Sequence, residues 1–216
     1  MYGNRHRTRA TALTRALGAM TLATALAVSA AACGGDDTSG GQTEASATEH
    51  NEADVSFASD MLQHHAQALS MVDLTLERPL DPEVTELAEQ IRAAQAPEIE
   101  TFTDWLTEWD EEIPETMRDH ANAGHDEGDM GESMEGMDAD MPGMMSAEDM
   151  TALEEAPDGD FQTMWLEMMV EHHEGAVEMA EAETDDGQYE PAIDLAGDIV
   201  TSQTAEIETM EGLLGS

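Results

Sequence analysis

The chain has 216 residues, with 49 Asp and Glu against 7 basic residues, all arginine, and a formal charge of −42. Such a surface excludes nucleic-acid binding by phosphate neutralisation. It repels anionic lipid head groups and draws cations, although charge alone is also what a well-solvated surface needs.

Four arginines, Arg5, Arg7, Arg9 and Arg15, precede an uncharged run from Ala16 to Ala32. A basic segment, an apolar run and small residues before a cleavage point read as a secretory signal over 1–32. The run is too short and alanine-rich for a membrane span. Cys33 follows at once and is the sole cysteine, so no internal disulfide is available. Its setting resembles a lipobox, with Ala30 where Leu is usual, and the expectation is a lipidated Cys33 heading the mature chain. Residues 33–50 then read as a polar tether with little to bury. From Cys33 onward three arginines (Arg78, Arg92, Arg118) face all 49 acids, a formal charge of −46.

An internal repeat organises the rest. At a fixed offset of 108, Met61, His64, His65, Ala68 and Met71 fall on Met169, His172, His173, Ala176 and Met179. Leu87, Ala88, Ile91, Gln95, Glu98, Ile99, Glu100, Thr101 and Leu106 fall on Leu195, Ala196, Ile199, Gln203, Glu206, Ile207, Glu208, Thr209 and Leu214. Phe57 meets Trp165. A two-fold duplication predicts one closed domain over 51–216. Its units are a first helical hairpin at 51–113 and a second at 158–216.

In the first unit Phe57, Met61, His64, Ala68, Met71 and Thr75 form an apolar stripe at helical spacing. That helix should stop before Pro79. Asp81 and Pro82 restart the chain as N-cap and first helical residue. Leu87, Ile91, Ala94, Glu98 and Phe102 carry the second helix, with Pro97 expected to kink it. The second hairpin turns near Asp185, Asp186 and Gly187. Neither hairpin can bury its stripe alone, so the pair predicts an all-α four-helix bundle. Between the units, 114–157 reads as an acidic, Met-rich linker. Its end from Ser146 opens a short helix with a capping box, and the remainder is expected to be loosely ordered.

His64 shares the buried stripe, and a buried imidazole needs a hydrogen-bond partner or a metal, at a cost of about 1–3 kcal/mol otherwise. A lone buried histidine is more often a satisfied core residue. Here Met-x-x-His-His recurs, so four histidines converge on one bundle. Antiparallel geometry centred near residue 79 or 80 puts Gln95 level with His64 and Glu98 level with Met61. Glu98 and Glu206 become candidate ligands or, like Gln95 and Gln203, candidate partners of the imidazoles. Met71 stands about 10 Å along the axis from His64, too far to share one ion on the same face, so Met71 and Met179 read as core. Thioether with imidazole suits Cu(I). A di-iron bundle would place glutamate where Met61 and Met169 stand, which moves the reading from iron toward copper. In the linker Met130, Met134, Met137, Met141, Met144 and Met145, with His120 and His125, are auxiliary metal candidates. The plain alternative is a partner-binding or low-complexity linker; metal capture is favoured because spaced thioethers recruit Cu(I) without needing a fixed fold.

These motifs resemble the domain-of-unknown-function 305 family: Phe57-x-x-x-Met61-x-x-His64-His65-x-x-Ala68-x-x-Met71, the stretch from Met164 to Ala180, the Gln-x-x-Glu-Ile stretches at 95–99 and 203–207, and Pro142 to Ser146. The resemblance covers about 51–216. It implies a ferritin-like helical fold and, because some members are linked to copper binding and resistance outside the cytoplasm, copper as the ion. Phe102 departs from the Met that the family pattern has and Met210 keeps.

The expectation is a lipid-anchored, extracytoplasmic protein of the cell envelope. It would capture and buffer Cu(I), or Ag(I), through Met61, His64, His65, Met169, His172 and His173, and hand the ion to an unidentified protein partner. Two alternatives stand beside it. One is a ferritin-like copper or iron oxidoreductase; the other is a metal-free envelope interaction module whose histidines bond Glu98 and Glu206. No nucleophile–base arrangement or phosphate loop is present.

Overall fold

A computed structural model describes residues 45–116, 118 and 141–215. The leader, Cys33 and the auxiliary candidates His120, His125, Met130, Met134 and Met137 lie outside the described residues. The described residues form five helices: α1 Glu52–Asp73, α2 Pro82–Glu108, α3 Ala147–Glu155, α4 Asp158–Asp186 and α5 Glu190–Leu214. None is long and apolar enough to cross a membrane.

Local chemistry explains the ends. Asn51 caps α1 in a capping box with Asp54, and Ser146 caps α3 with Asp149. Helix α1 stops at Asp73, short of the expected limit at Pro79, and Thr75 turns both its N–H and its hydroxyl onto the Val72 carbonyl. Asp81 sits at the N-cap of α2, but its side chain caps no backbone group. Its carboxylate instead accepts from the Gln162 amide at 2.9 Å. Helix α2 continues unbroken through Pro97, which is exposed. Arg78 holds the C-terminal end of α3, donating to the Ala156 and Glu154 carbonyls and to Asp158, with its guanidinium 4.5 Å from the centre of the Phe161 ring.

Each hairpin packs α1 on α2 or α4 on α5, and the two hairpins meet through α1 against α4. The α1–α4 register is antiparallel about His64 and His172, whose ring centres lie 3.7 Å apart. Trp165 on α4 donates to the Met71 carbonyl on α1 at 3.0 Å. In that register Met61 and Ala176 belong to one core cluster, and Met169 and Ala68 to the other.

Every residue from Met61 to Leu69 is buried. A helix covered on one side buries a stripe, whereas α1 is covered by α2, by α4 and by the segment 141–145. That segment, expected to be loosely ordered, is seated on the bundle, with Met141 and Met145 buried. Residues 45–50 also fold back. Ser46 exchanges backbone hydrogen bonds with Gln188 and Glu190, and His50 stacks on Trp109 at 4.5 Å.

Candidate metal centre

Helices α1 and α4 bring all four motif histidines into the core. His64, His65 and His173 are 0% exposed and His172 is 1% exposed. Helical spacing points His64 and His172 at each other and turns His65 and His173 toward their own hairpin partners. His65 Nε2 lies 2.7 Å from Glu98 Oε2, and His173 Nε2 lies 2.9 Å from Glu206 Oε2, the same contact in each repeat. The glutamates thus serve the second histidine of each pair. The turn geometry puts Glu98 level with Met61 and beside the Met/His cluster; the contact it makes is with His65, because helical side chains lean toward their own N-termini. In an antiparallel pair His65 and Glu98 therefore lean toward one another.

Burial governs the electrostatics. It lowers His64 to about 3, assisted by the neighbouring His65 imidazole and opposed by the hydrogen bond to the Pro142 carbonyl. Burial, and next the His64 imidazole, hold His172 well below the usual histidine range. Both central rings are neutral and keep a lone pair.

Donors and acceptors do not balance. His64 Nδ1, His65 Nδ1, both nitrogens of His172, and His173 Nδ1 are buried without a hydrogen-bond partner. Gln95 and Gln203, expected beside the imidazoles, are buried too, with both polar atoms of Gln95 and Oε1 of Gln203 unpartnered. Buried polar groups are normally satisfied, and here five unpartnered imidazole nitrogens gather about two tilted rings whose centres lie 3.7 Å apart. Met61 and Met169 are 0% exposed on the turns before the histidines. Met71 is core, as expected, whereas Met179 is half-buried beside the other cluster. Among the described residues no three His, Cys, Asp or Glu side chains are gathered closely enough to hold a metal by themselves.

Sequence reasoning missed three features. The carbonyl of Pro142 approaches His64 Nε2 at 3.1 Å. Gln67 exchanges two hydrogen bonds with the Met145 backbone. Asp54 and Glu183 form a buried carboxyl pair away from the histidines. Their signal was asymmetry: at the offset of 108, Gln67 falls on Gly175, Asp54 on Gln162 and Thr75 on Glu183.

The family profile Domain of unknown function (DUF305) matches residues 54–214. Among solved structures, the chain is similar to a DUF305 fragment from Deinococcus radiodurans, with 31% identity, 76% of this chain and 97% of that one covered, and a TM-score of 0.61. It is equally similar to a DUF305 protein from Streptomyces coelicolor described as secreted, at 31% identity, covering 76% and 92%, with a TM-score of 0.62. It also resembles CopM in a Cu(II)-bound form, at 28% identity, covering 75% and 95%, with a TM-score of 0.57. CopM structures with Cu(I) and with Ag match as well, at 25% and 27% identity. No curated protein matches the chain in sequence. The histidine-centred bundle and the match over both repeats identify the chain as a member of the DUF305 family.

Proposed function

We propose that the protein captures Cu(I), and by the same chemistry Ag(I), outside the cytoplasm and buffers the ion or passes it to a protein partner. Met61, His64, His65, Met169, His172 and His173 supply the ligands. The observation that carries this reading is the set of five buried imidazole nitrogens without partners, flanked by two buried thioethers. Two neutral imidazoles with thioethers form a soft site that favours Cu(I) over hard cations. Glu98 and Glu206 hold His65 and His173 by Nε2 and leave Nδ1 to the ion, the arrangement by which outer carboxylates orient metal-binding imidazoles. CopM, copper- and silver-bound in its own structures, supports the same ion class. Among the described residues no three His, Cys, Asp or Glu side chains stand together, and in this reading the site draws on methionine sulfur as well. In this reading lipidation of Cys33 anchors the protein, and Met141, Met144 and Met145 with the Met-rich stretch before them collect ions for the bundle.

Cu(I) competition against a colorimetric chelator tests the proposal. The wild type should withdraw copper from the chelator, and His64→Ala with His172→Ala should abolish that withdrawal. Equal uptake by the double variant would refute the site. The two Glu–His bonds also suit a metal-free interaction module, but that reading leaves the five nitrogens unexplained. A wild type that takes up neither ion would favour it. Iron in the purified protein together with oxygen consumption would favour an oxidoreductase.

A further inference from the structure

We propose that residues 141–145 act as a strap that holds His64 by Nε2 and leaves Nδ1 as its metal-binding atom, and that Gln67 and Gly175 are the positioning residues that seat it. The inference rests on the reading of the histidine cluster as the ion site. Gln67 and Gly175 are equivalent positions of the two repeats, each three residues after its central histidine. Each touches the strap in a different way.

On the α4 side the contact is backbone on backbone. A Cβ on Gly175 would lie 2.1 Å from the Pro142 carbonyl oxygen. Gly143 has φ +71°, and a Cβ there would lie 2.6 Å from the Glu171 carbonyl oxygen and 2.9 Å from that of His172. Only glycine at both positions allows this approach. On the α1 side Gln67 acts as a surrogate peptide. Its amide donates to the Met145 carbonyl at 2.9 Å, and its carbonyl accepts from the Met145 N–H at 2.8 Å.

Held at both ends, the strap presents the Pro142 carbonyl to His64 Nε2 at 3.1 Å. A carbonyl only accepts, so His64 donates Nε2–H, and the neutral ring carries its lone pair on Nδ1. Nδ1 is the nitrogen that is buried without a partner. His172, the facing ring, receives no carbonyl from the strap; the group beside it is the His64 backbone, and neither of its nitrogens makes a well-formed hydrogen bond. The strap thus breaks the two-fold equivalence of the repeats at their centre: it holds the His64 ring and not the His172 ring.

Imidazole-resolved NMR of 15N-histidine-labelled protein tests this, first without metal. The His64 Nε2–H should exchange slowly with solvent, and Gln67→Ala should raise its exchange rate roughly tenfold by removing two buried hydrogen bonds. Gly175→Ala should act in the same direction. Arg92→Ala serves as control: it removes an ion pair to Asp73 away from the strap and should leave His64 exchange unchanged. In the Ag(I)-loaded wild type the Nε2–H should persist while the Nδ1 resonance shifts. A silver-induced shift at His64 Nε2, or exchange in Gln67→Ala equal to the wild type, would overturn the proposal. Absence of silver uptake would overturn the ion-binding reading, while the metal-free exchange still decides whether the strap holds His64.

Discussion

Replacing Glu183 by Gln should stabilise the protein, increasingly so as pH rises. Glu183 is 2% exposed and Asp54 is 0% exposed. The Asp54 carboxylate accepts backbone N–H groups from Asn51 at 2.6 Å, Gln188 at 3.0 Å and Tyr189 at 2.8 Å, tying the start of α1 to the α4–α5 turn. Glu183 has no such donors. It meets Asp54 as an acid, and burial first, then the hydrogen bond and charge of Asp54, raise it from 4.5 to about 9. A carboxyl raised on folding binds its proton more tightly in the native state, so stability falls as pH climbs from the unfolded value toward the folded one. At pH 7 keeping the proton costs about 3 kcal/mol, from about 1.4 kcal/mol for each pH unit above 4.5. Gln supplies an N–H to Asp54 with no proton to retain. Urea unfolding of both proteins at pH 5 and pH 8 measures the effect. The variant should differ little at pH 5 and exceed the wild type by a few kcal/mol at pH 8. Parallel stabilities at the two pH values, or a variant weaker at pH 8, would refute the reasoning.

Other perturbations follow from the same packing. Gly175→Ala forces a methyl against the Pro142 carbonyl and should cost about 1–3 kcal/mol in thermal or urea unfolding; an unchanged melting temperature would contradict the close contact. The imidazoles of His64 and His172 should remain neutral by NMR at pH 5, where an ordinary histidine is protonated. Their contribution to stability is complete above 6.5 and is lost as pH falls toward the depressed value of His64, about 3. Arg78→Ala removes three hydrogen bonds at the end of α3 and should lower stability by about 1–3 kcal/mol in unfolding experiments.

Periodicity made the helices legible, since a stripe such as Phe57, Met61, His64 and Ala68 records which face must be buried. Short-range chemistry made several ends legible: Ser146 with Asp149, Pro82 after Asp81, and Gly187 after Asp186. The inward position of His64 and His172 followed from the same stripe. What the stripe could not disclose was how the two hairpins register against one another. The close approach of the His64 and His172 rings depends on side chains 108 residues apart. Glu98 and Glu206 were legible as neighbours of the histidines, but which histidine each meets depends on the lean of the side chains, which level positions ignore. The strap was hidden for a different reason. Its tail has the composition of a solvated linker, and its seat is built from backbone atoms at Gly143 and Gly175, which carry no hydropathy signal. The readable trace was the failure of the repeat at Gln67 and Gly175.

X-ray absorption at the copper edge of the Cu(I)-loaded protein tests the central claim most directly. The account predicts one first shell containing both sulfur and imidazole nitrogen, with the sulfur component reduced in Met61→Leu with Met169→Leu and the imidazole component reduced in His64→Ala with His172→Ala. A shell of oxygen ligands, or a mixed shell that survives both pairs of substitutions, would place the ion outside the histidine-centred bundle and contradict the account.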